Sequence, residues 1–457
     1  MPSKPAARRP SAWPGEPSPD LAISRLHVAM WAIPLGTVLA FAVTAAIVSL
    51  LATPGIRELP SPLQYTSLHA AFRAIEMNGT DSWHPMLVAR AWLAANPGGD
   101  VYAALASERG IKFQYPATTL LLAEILPTRH EPAVLLLNLA NLAMAGALVG
   151  VMGAFAVALA RRTIPALLYA DPRIASTLAA IAALATVLYY PLMRALAIGQ
   201  IQVALTLLLV LACHAWVERR SVLAGALIGL SALVKPPMAL MLLWALLRRD
   251  WRMAGAGLAV VALGLAAAVA LYGTGWIDGY LRLLAHIATH GEAYFANQSL
   301  NGLLNRWLAT APNLDWLPTA YAAYHPVVHT LTFASAIVFI GLAMAQAFRG
   351  DDELTRAAAF TATAIAITMA APVTWEHQYG ALLPGFAVAL VAVLATPPGK
   401  PSGWPLLAAA YLVAANVLSA TNWLAASWLN PLQSYLFLAA LALLALLLRP
   451  QPPAAAR

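Results

Sequence analysis

Long apolar runs separated by short polar breaks set the pattern of this chain. They fall near residues 28–52, 133–160, 174–191, 196–217, 221–234, 236–247, 253–273, 329–348, 355–371, 379–397, 404–421 and 432–448. A helix needs about 20 such residues to cross the hydrocarbon layer of a membrane. The pattern therefore predicts an all-α polytopic membrane protein with about twelve transmembrane helices. The two runs flanking Lys235-Pro236-Pro237 are short for a span, and read either as two short spans or as one kinked helix. Two interruptions are long, residues 53–132 and 274–328. Within the first, residues 66–76, 83–95 and 117–127 have helical apolar spacing but are too short to cross, which predicts interfacial or re-entrant helices.

Composition agrees with this class. Hydrophobic residues make up 61% of the chain and charged residues 10%, with a mean hydropathy of +0.71, outside the range of soluble domains. The formal net charge of +8 does not point to nucleic acid, because the basic residues sit in short clusters between apolar runs, as orientation signals do. Those clusters decide the topology. With Lys235 at the tip of two short spans, Arg161, Arg162, Arg173, Arg219, Arg220, Arg248, Arg249, Arg252, Arg349, Arg356, Lys400 and Arg449 all share the side of the basic N-terminus. A single kinked helix would split them. The reading adopted is one integral domain, residues 28–449, with cytoplasmic tails at 1–27 and 450–457. The first apolar run is longer than a signal-peptide core and lacks a clear cleavage site, so it is expected to stay as an anchor. The single cysteine, Cys213, excludes an internal disulfide. The Ala-, Leu- and Arg-rich composition fits a bacterial inner membrane.

This topology gathers polar chemistry on the outer face. Asp81, in Asn78-Gly-Thr-Asp-Ser-Trp-His-Pro85, follows the first span. Its plain reading is a helix N-cap; its functional reading is a catalytic base. Lys235 at a Pro-Pro break is costly unless it meets a partner or snorkels to the interface. In Thr374-Trp-Glu-His-Gln-Tyr379 an aromatic belt accounts for Trp375 and Tyr379 but not for the adjacent Glu376 and His377. Arg194 and Arg306 are outer cations suited to phosphate or to anchoring on headgroups. Gln200, Gln202, Asn297 and Gln298 suit sugar hydroxyls, or are the ordinary polarity of interfacial loops. Tyr102 and Tyr115 offer a stacking face or belong to a belt. Asn138 and Asn141, deep in a span, are read as helix-to-helix hydrogen bonds. The sequence has no phosphate-binding glycine loop and no His or Cys spacing for a metal, so neither a soluble nucleotide nor a metal site is expected.

Taken in order, Asp81, Gly99-Asp-Val-Tyr102, Phe113-Gln-Tyr-Pro116, Gly199-Gln-Ile-Gln202, Ala224-Gly to Lys235-Pro, Asn297-Gln-Ser299 and Trp375-Glu-His377 resemble glycosyltransferase family 87. The chain departs from that family's pattern at Ala117, Gln202 and Gln378. The resemblance implies a GT-C-like fold and transfer of a sugar, mannose first among the options, from a polyprenyl-phosphate donor to a glycolipid or polysaccharide hydroxyl on the outer face. It further implies inversion at the anomeric carbon, with Asp81 as base. Lys235, His377, Arg306 and Arg194 would face the donor phosphate, while Glu376, Gln200, Gln202, Asn297, Gln298, Tyr102 and Tyr115 would hold sugar or acceptor. No cofactor is implied, since the lipid-linked sugar is a substrate. A secondary transporter, or an envelope polysaccharide polymerase or ligase, is the competing expectation.

Overall fold

A computed structural model describes residues 19–51, 67–308, 313–314 and 321–452. Among them, regular structure is helical throughout. The first half runs α1 (Pro19–Leu51), α2 (Ser67–Ile75), α3 (Trp83–Ala95), α4 (Val101–Arg109), α5 (His130–Thr163), α6 (Pro165–Ala170), α7 (Arg173–Val187), α8 (Tyr190–Ile198), α9 (Gln202–Val217) and α10 (Ser221–Val234). The second continues with α11 (Leu240–Leu247), α12 (Trp251–Tyr272), α13 (Gly275–His290), α14 (Leu300–Leu308), α15 (Pro326–Ala345), α16 (Glu353–Ala370), α17 (Leu383–Ala395), α18 (Trp404–Ala414) and α19 (Tyr435–Leu448).

Among the described residues, six helical stretches are long and apolar enough to cross a membrane on their own: Pro19–Thr44, His130–Thr163, Trp251–Tyr272, Pro326–Phe348, Glu376–Ala395 and Asn430–Leu448. The remaining runs form a bent pair, shorter apolar helices and α16, which is buried at every residue from Leu354 to Ala370. Between the apolar runs 174–191 and 196–217 the chain forms α8, bent 46° from α7. Pro191 lies in its first turn, where a missing N–H costs nothing.

The hairpin of α10 and α11 closes at its basic end. Ser221 Oγ donates to the Asp250 carboxylate at 2.6 Å, so Lys235 is the far tip, as two short helices require. At the basic end Arg162 pairs with Glu218 at 3.2 Å, and Arg219 with Glu353 at 2.8 Å. Arg248 donates to the Ala347 and Arg349 carbonyls, and Arg349 to those of Leu447 and Arg449. The arginine clusters that are scattered in sequence thus meet at one end of the molecule.

The opposite end carries a second, smaller core beneath the long loops, built on Trp83, Met86, Leu93, Tyr102, Leu105, Phe113, Leu120, Tyr272 and Trp276. Two of the three short helices expected there form as α2 and α3, and the third is a single 3-10 stretch, Ala117–Leu122. Helix α4 is an addition. Asp100 caps it by accepting from the Tyr102 and Ala103 amides, and Gly110 ends it in the left-handed region.

Candidate active site

The loop that carries Asp81 is fixed by close backbone contact. Its Gly79 lies against Gly199, which has φ +68°, and a Cβ built on Gly199 would stand 2.2 Å from the Gly79 carbonyl oxygen. Only glycine fits such an approach in that conformation. Asp81 N–H then donates to the Ile198 carbonyl at 2.8 Å and Ser82 N–H to that of Gly199 at 3.1 Å. The two segments run side by side, and Gln200 arrives beside Asp81, donating its amide N–H to Oδ2. Asp81 caps no helix: Ser82 occupies the N-cap of α3 and makes no side-chain cap bond. The Asp81 side chain is open to a cleft of about 2350 Å³, counting its mouth. Protein surrounds it otherwise, and that burial pushes its carboxyl above the usual carboxylate range, against the lowering pull of Gln200 and of the Arg194 charge.

Ser82 binds this corner together. Its Oγ donates to Gln200 Oε1 at 2.7 Å, lies 2.8 Å from the Tyr115 hydroxyl, and accepts from the Ile201 amide at 3.1 Å. Asn138 and Asn141 join in from α5. Asn138 Nδ2 donates to the Met77 and Gly79 carbonyls at 2.8 and 3.0 Å while its oxygen accepts from the Trp83 indole; Asn141 donates to the Gln200 carbonyl at 2.9 Å. Both asparagines brace the loops that hold the site; the bond from Trp83 of α3 to Asn138 is the helix-to-helix contact expected, and the others run from helix to loop.

Across the cleft stands the Glu376 segment. Residues 296–298 and 374–376 pair as two extended strips: Gln298 N–H donates to the Thr374 carbonyl at 2.8 Å, and Glu376 N–H to that of Ala296 at 3.1 Å. Asn297 locks them, its oxygen accepting from the Thr374 amide and its Nδ2 donating to the Glu292 and Pro372 carbonyls. The Glu376 carboxylate accepts from the Tyr190 and Tyr435 hydroxyls at 3.0 and 3.4 Å. His377 stacks on Trp375, with ring centroids 6.4 Å apart, and faces the same cleft. Lys235 lines it too and donates from Nζ to Gln378 Oε1 at 2.7 Å. Arg194, half-buried on α8, interacts electrostatically with both Asp81 and Glu376.

Two acids, Asp81 and Glu376, and three nitrogen groups, Arg194, Lys235 and His377, thus share a single cleft with Gln200, Gln202 and Tyr115. The sequence model of glycosyltransferase family 87 matches residues 113–372, more than half of the chain. The chain belongs to glycosyltransferase family 87. This glycosyltransferase is a multi-pass membrane protein that uses a sugar donor and an acceptor, which sets aside the transporter reading. Asp81, Glu376 and His377 lie outside the matched stretch, and the fold brings them to Arg194, Gln200 and Lys235 inside it. No curated protein and no solved structure matches the chain.

Four of the expected site residues of this family 87 enzyme stand away from the cleft. Arg306 is buried and donates to the Tyr294 and Asn297 carbonyls and to Ser434. Asn297 and Gln298 are fully buried, with Gln298 donating to the Phe295 and Gln433 carbonyls. Tyr102 donates to the Tyr115 carbonyl at 2.8 Å and stacks on Phe113. These residues hold the walls rather than line them. Conversely, Lys112 lines the cleft and forms a 2.5 Å ion pair with Glu292, one residue ahead of the Phe113 motif. Its position next to that motif was its only sequence signal. Ser82, likewise unforeseen, adjoins Asp81. Among the described residues no group of three or more His, Cys, Asp or Glu side chains is placed to hold a metal ion.

Proposed function

We propose that the cleft transfers a sugar from a polyprenyl-phosphate donor to an acceptor hydroxyl, with inversion. Asp81 serves as the base and mannose is the first sugar to test. The observation that carries this reading is the open side of Asp81 facing Arg194, Lys235 and His377 across one cleft. Asp81 uses Oδ2 to hold Gln200, and among the described residues nothing donates to Oδ1, which leaves that oxygen for the acceptor. Glu376 is poorly suited to the same task, because two tyrosine hydroxyls already occupy its carboxylate.

In the proposed reaction the acceptor O–H gives its proton to Asp81 as its oxygen bonds to the anomeric carbon. The bond from that carbon to the phosphate oxygen breaks, and the electron pair leaves with polyprenyl phosphate. A phosphate departs as a stable anion and needs positive charge rather than a second acid, so Arg194 and Lys235 take the place of the acid carboxyl found in inverting glycosidases. Gln200 lies beside the base and Gln202 lines the same cleft, where sugar hydroxyls would need partners. The donor lipid favours a site at the membrane boundary, and the basic clusters at the opposite end favour the periplasmic face of a bacterial inner membrane.

The test is incubation of the purified protein with a panel of polyprenyl-phosphate sugars, following release of the lipid phosphate with and without acceptor glycolipids. Release by the native protein and not by Asp81→Asn is expected. Turnover only with soluble nucleotide sugars would overturn the donor assignment.

A further inference from the structure

At the end opposite the cleft lies a second concavity of about 1020 Å³, counting its open mouth. Its walls carry Arg248, Arg249, Arg252, Arg349 and Arg356 against two acids, Asp250 and Asp351. Asp250 is already committed, since one oxygen caps α12 through the Met253 amide and the other accepts from Ser221. Asp351 is 83% exposed and reaches back to Arg248 and, at 3.8 Å, to Arg356. We propose that this concavity is a binding site for a phosphoryl anion, and that the Asp351 carboxylate occupies the anion's place when none is bound.

Orientation by the positive-inside rule needs only that arginines be near the membrane surface on one side. It does not require Arg356, which is 8% exposed and lies 4.2 Å from the Trp216 ring, with its Nε buried and unpartnered. A buried guanidinium with an unused donor is costly unless something accepts from it. Arg248 lies over the Trp216 and Trp244 rings at 5.8 and 5.7 Å, so both guanidiniums are held in fixed planes. Fixed guanidinium planes suit the paired oxygens of a phosphate. Arg249 adopts a left-handed backbone, φ +63°, at the end of α11, where glycine would be free of strain. Asp351 sits on an exposed turn and can swing out, which leaves a formal excess of arginines around the vacated position.

The phosphoryl group can come from an anionic lipid headgroup or from a soluble phosphate, and the experiment separates these sources. Full-length protein in neutral detergent is titrated with inorganic phosphate by calorimetry. In parallel, protein from nanodiscs of phosphatidylethanolamine and phosphatidylglycerol is examined by native mass spectrometry. Asp351→Asn, at an exposed position, should tighten binding about fivefold, while the surface pair Arg249→Gln and Arg252→Gln should weaken it by at least as much. Retention of phosphatidylglycerol that follows this order identifies the lipid as the source. Phosphate binding that follows it without lipid enrichment identifies a soluble anion. Binding that is equal in all three proteins, or absent from both the native protein and Asp351→Asn, overturns the proposal. A merely structural Asp351 would show no gain.

Discussion

At the residue scale, Asp81 owes its properties to two opposed influences. Enclosure by protein raises its pKa, and the Gln200 amide and the Arg194 charge lower it. A base must be ionised to work, so activity rises with pH through the folded pKa and is lost below it. The acid limb of kcat/KM is therefore expected above the ordinary carboxylate value of about 4, and a limb at or below it would remove enclosure as the controlling influence. Gln200→Leu strips a hydrogen bond from the charged form and should move that limb to higher pH; a pH–rate profile of the variant decides this. Asp81→Asn should lower turnover by about 10²- to 10⁴-fold with normal membrane insertion, and near-native turnover would reassign the base. Most of the ionisable residues that the cleft gathers were legible one by one in the sequence, an acid after a span, a lysine at a Pro-Pro break, a Glu-His pair no belt explains, but Lys112 was not. Gln200 was legible only as a polar residue, because its meeting with Asp81 depends on two backbones touching far apart in sequence.

At the element scale, the site rests on short strips of irregular chain rather than on helix faces. Such strips have backbone groups to satisfy in a poorly hydrated setting, and buried asparagines do this work: Asn138 and Asn141 for the Asp81 loop, Asn297 for the Glu376 segment. Asn138→Leu leaves two carbonyls and the Trp83 indole without their partner, at about 1–3 kcal/mol for each buried group left unsatisfied. Gly199→Ala combines a left-handed residue, about 1–3 kcal/mol, with a collision against Gly79. Both should lower the midpoint of thermal unfolding in detergent, and an unchanged midpoint in either would show that the loop contact is not binding the site together. The sequence betrayed the three loop helices through apolar spacing, yet Ala117–Leu122 fell short of its expected length. It hid α4, nine residues with weak periodicity, although the Asp100 cap and the Gly110 stop were both present. Asn138 and Asn141 were noticed, but a polar residue inside a span has no sequence mark that tells a neighbouring helix from a neighbouring loop.

At the scale of the whole molecule, charge organises two ends. The hydropathy pattern marked about twelve runs; among the described residues six helical stretches are long and apolar enough to cross on their own, and the rest are a bent pair, four shorter apolar helices and the enclosed α16. The arginine clusters did better, because the positive-inside rule acts on each loop separately and needs no packing information; they placed Lys235 opposite Arg219 and Arg248, and the Ser221 to Asp250 bond agrees. If the cleft faces outward, Pro237→Cys should react with an impermeant thiol label in intact cells and Arg249→Cys only after permeabilisation. The single native cysteine, Cys213, is buried and gives no background. The reverse labelling pattern would invert the orientation.

The contact of Gly79 with Gly199 also divides the cleft into a part that can change and a part that cannot. Asp81, Gln200 and the asparagines behind them form one interlocked piece, so replacements there act on the base itself. The facing wall is different: Leu284, Ile287 and Ala288 project from α13 into the cleft without joining that piece. New donor or acceptor preferences are therefore most easily engineered on α13, by enlarging or trimming those three side chains while the reacting corner stays as it is.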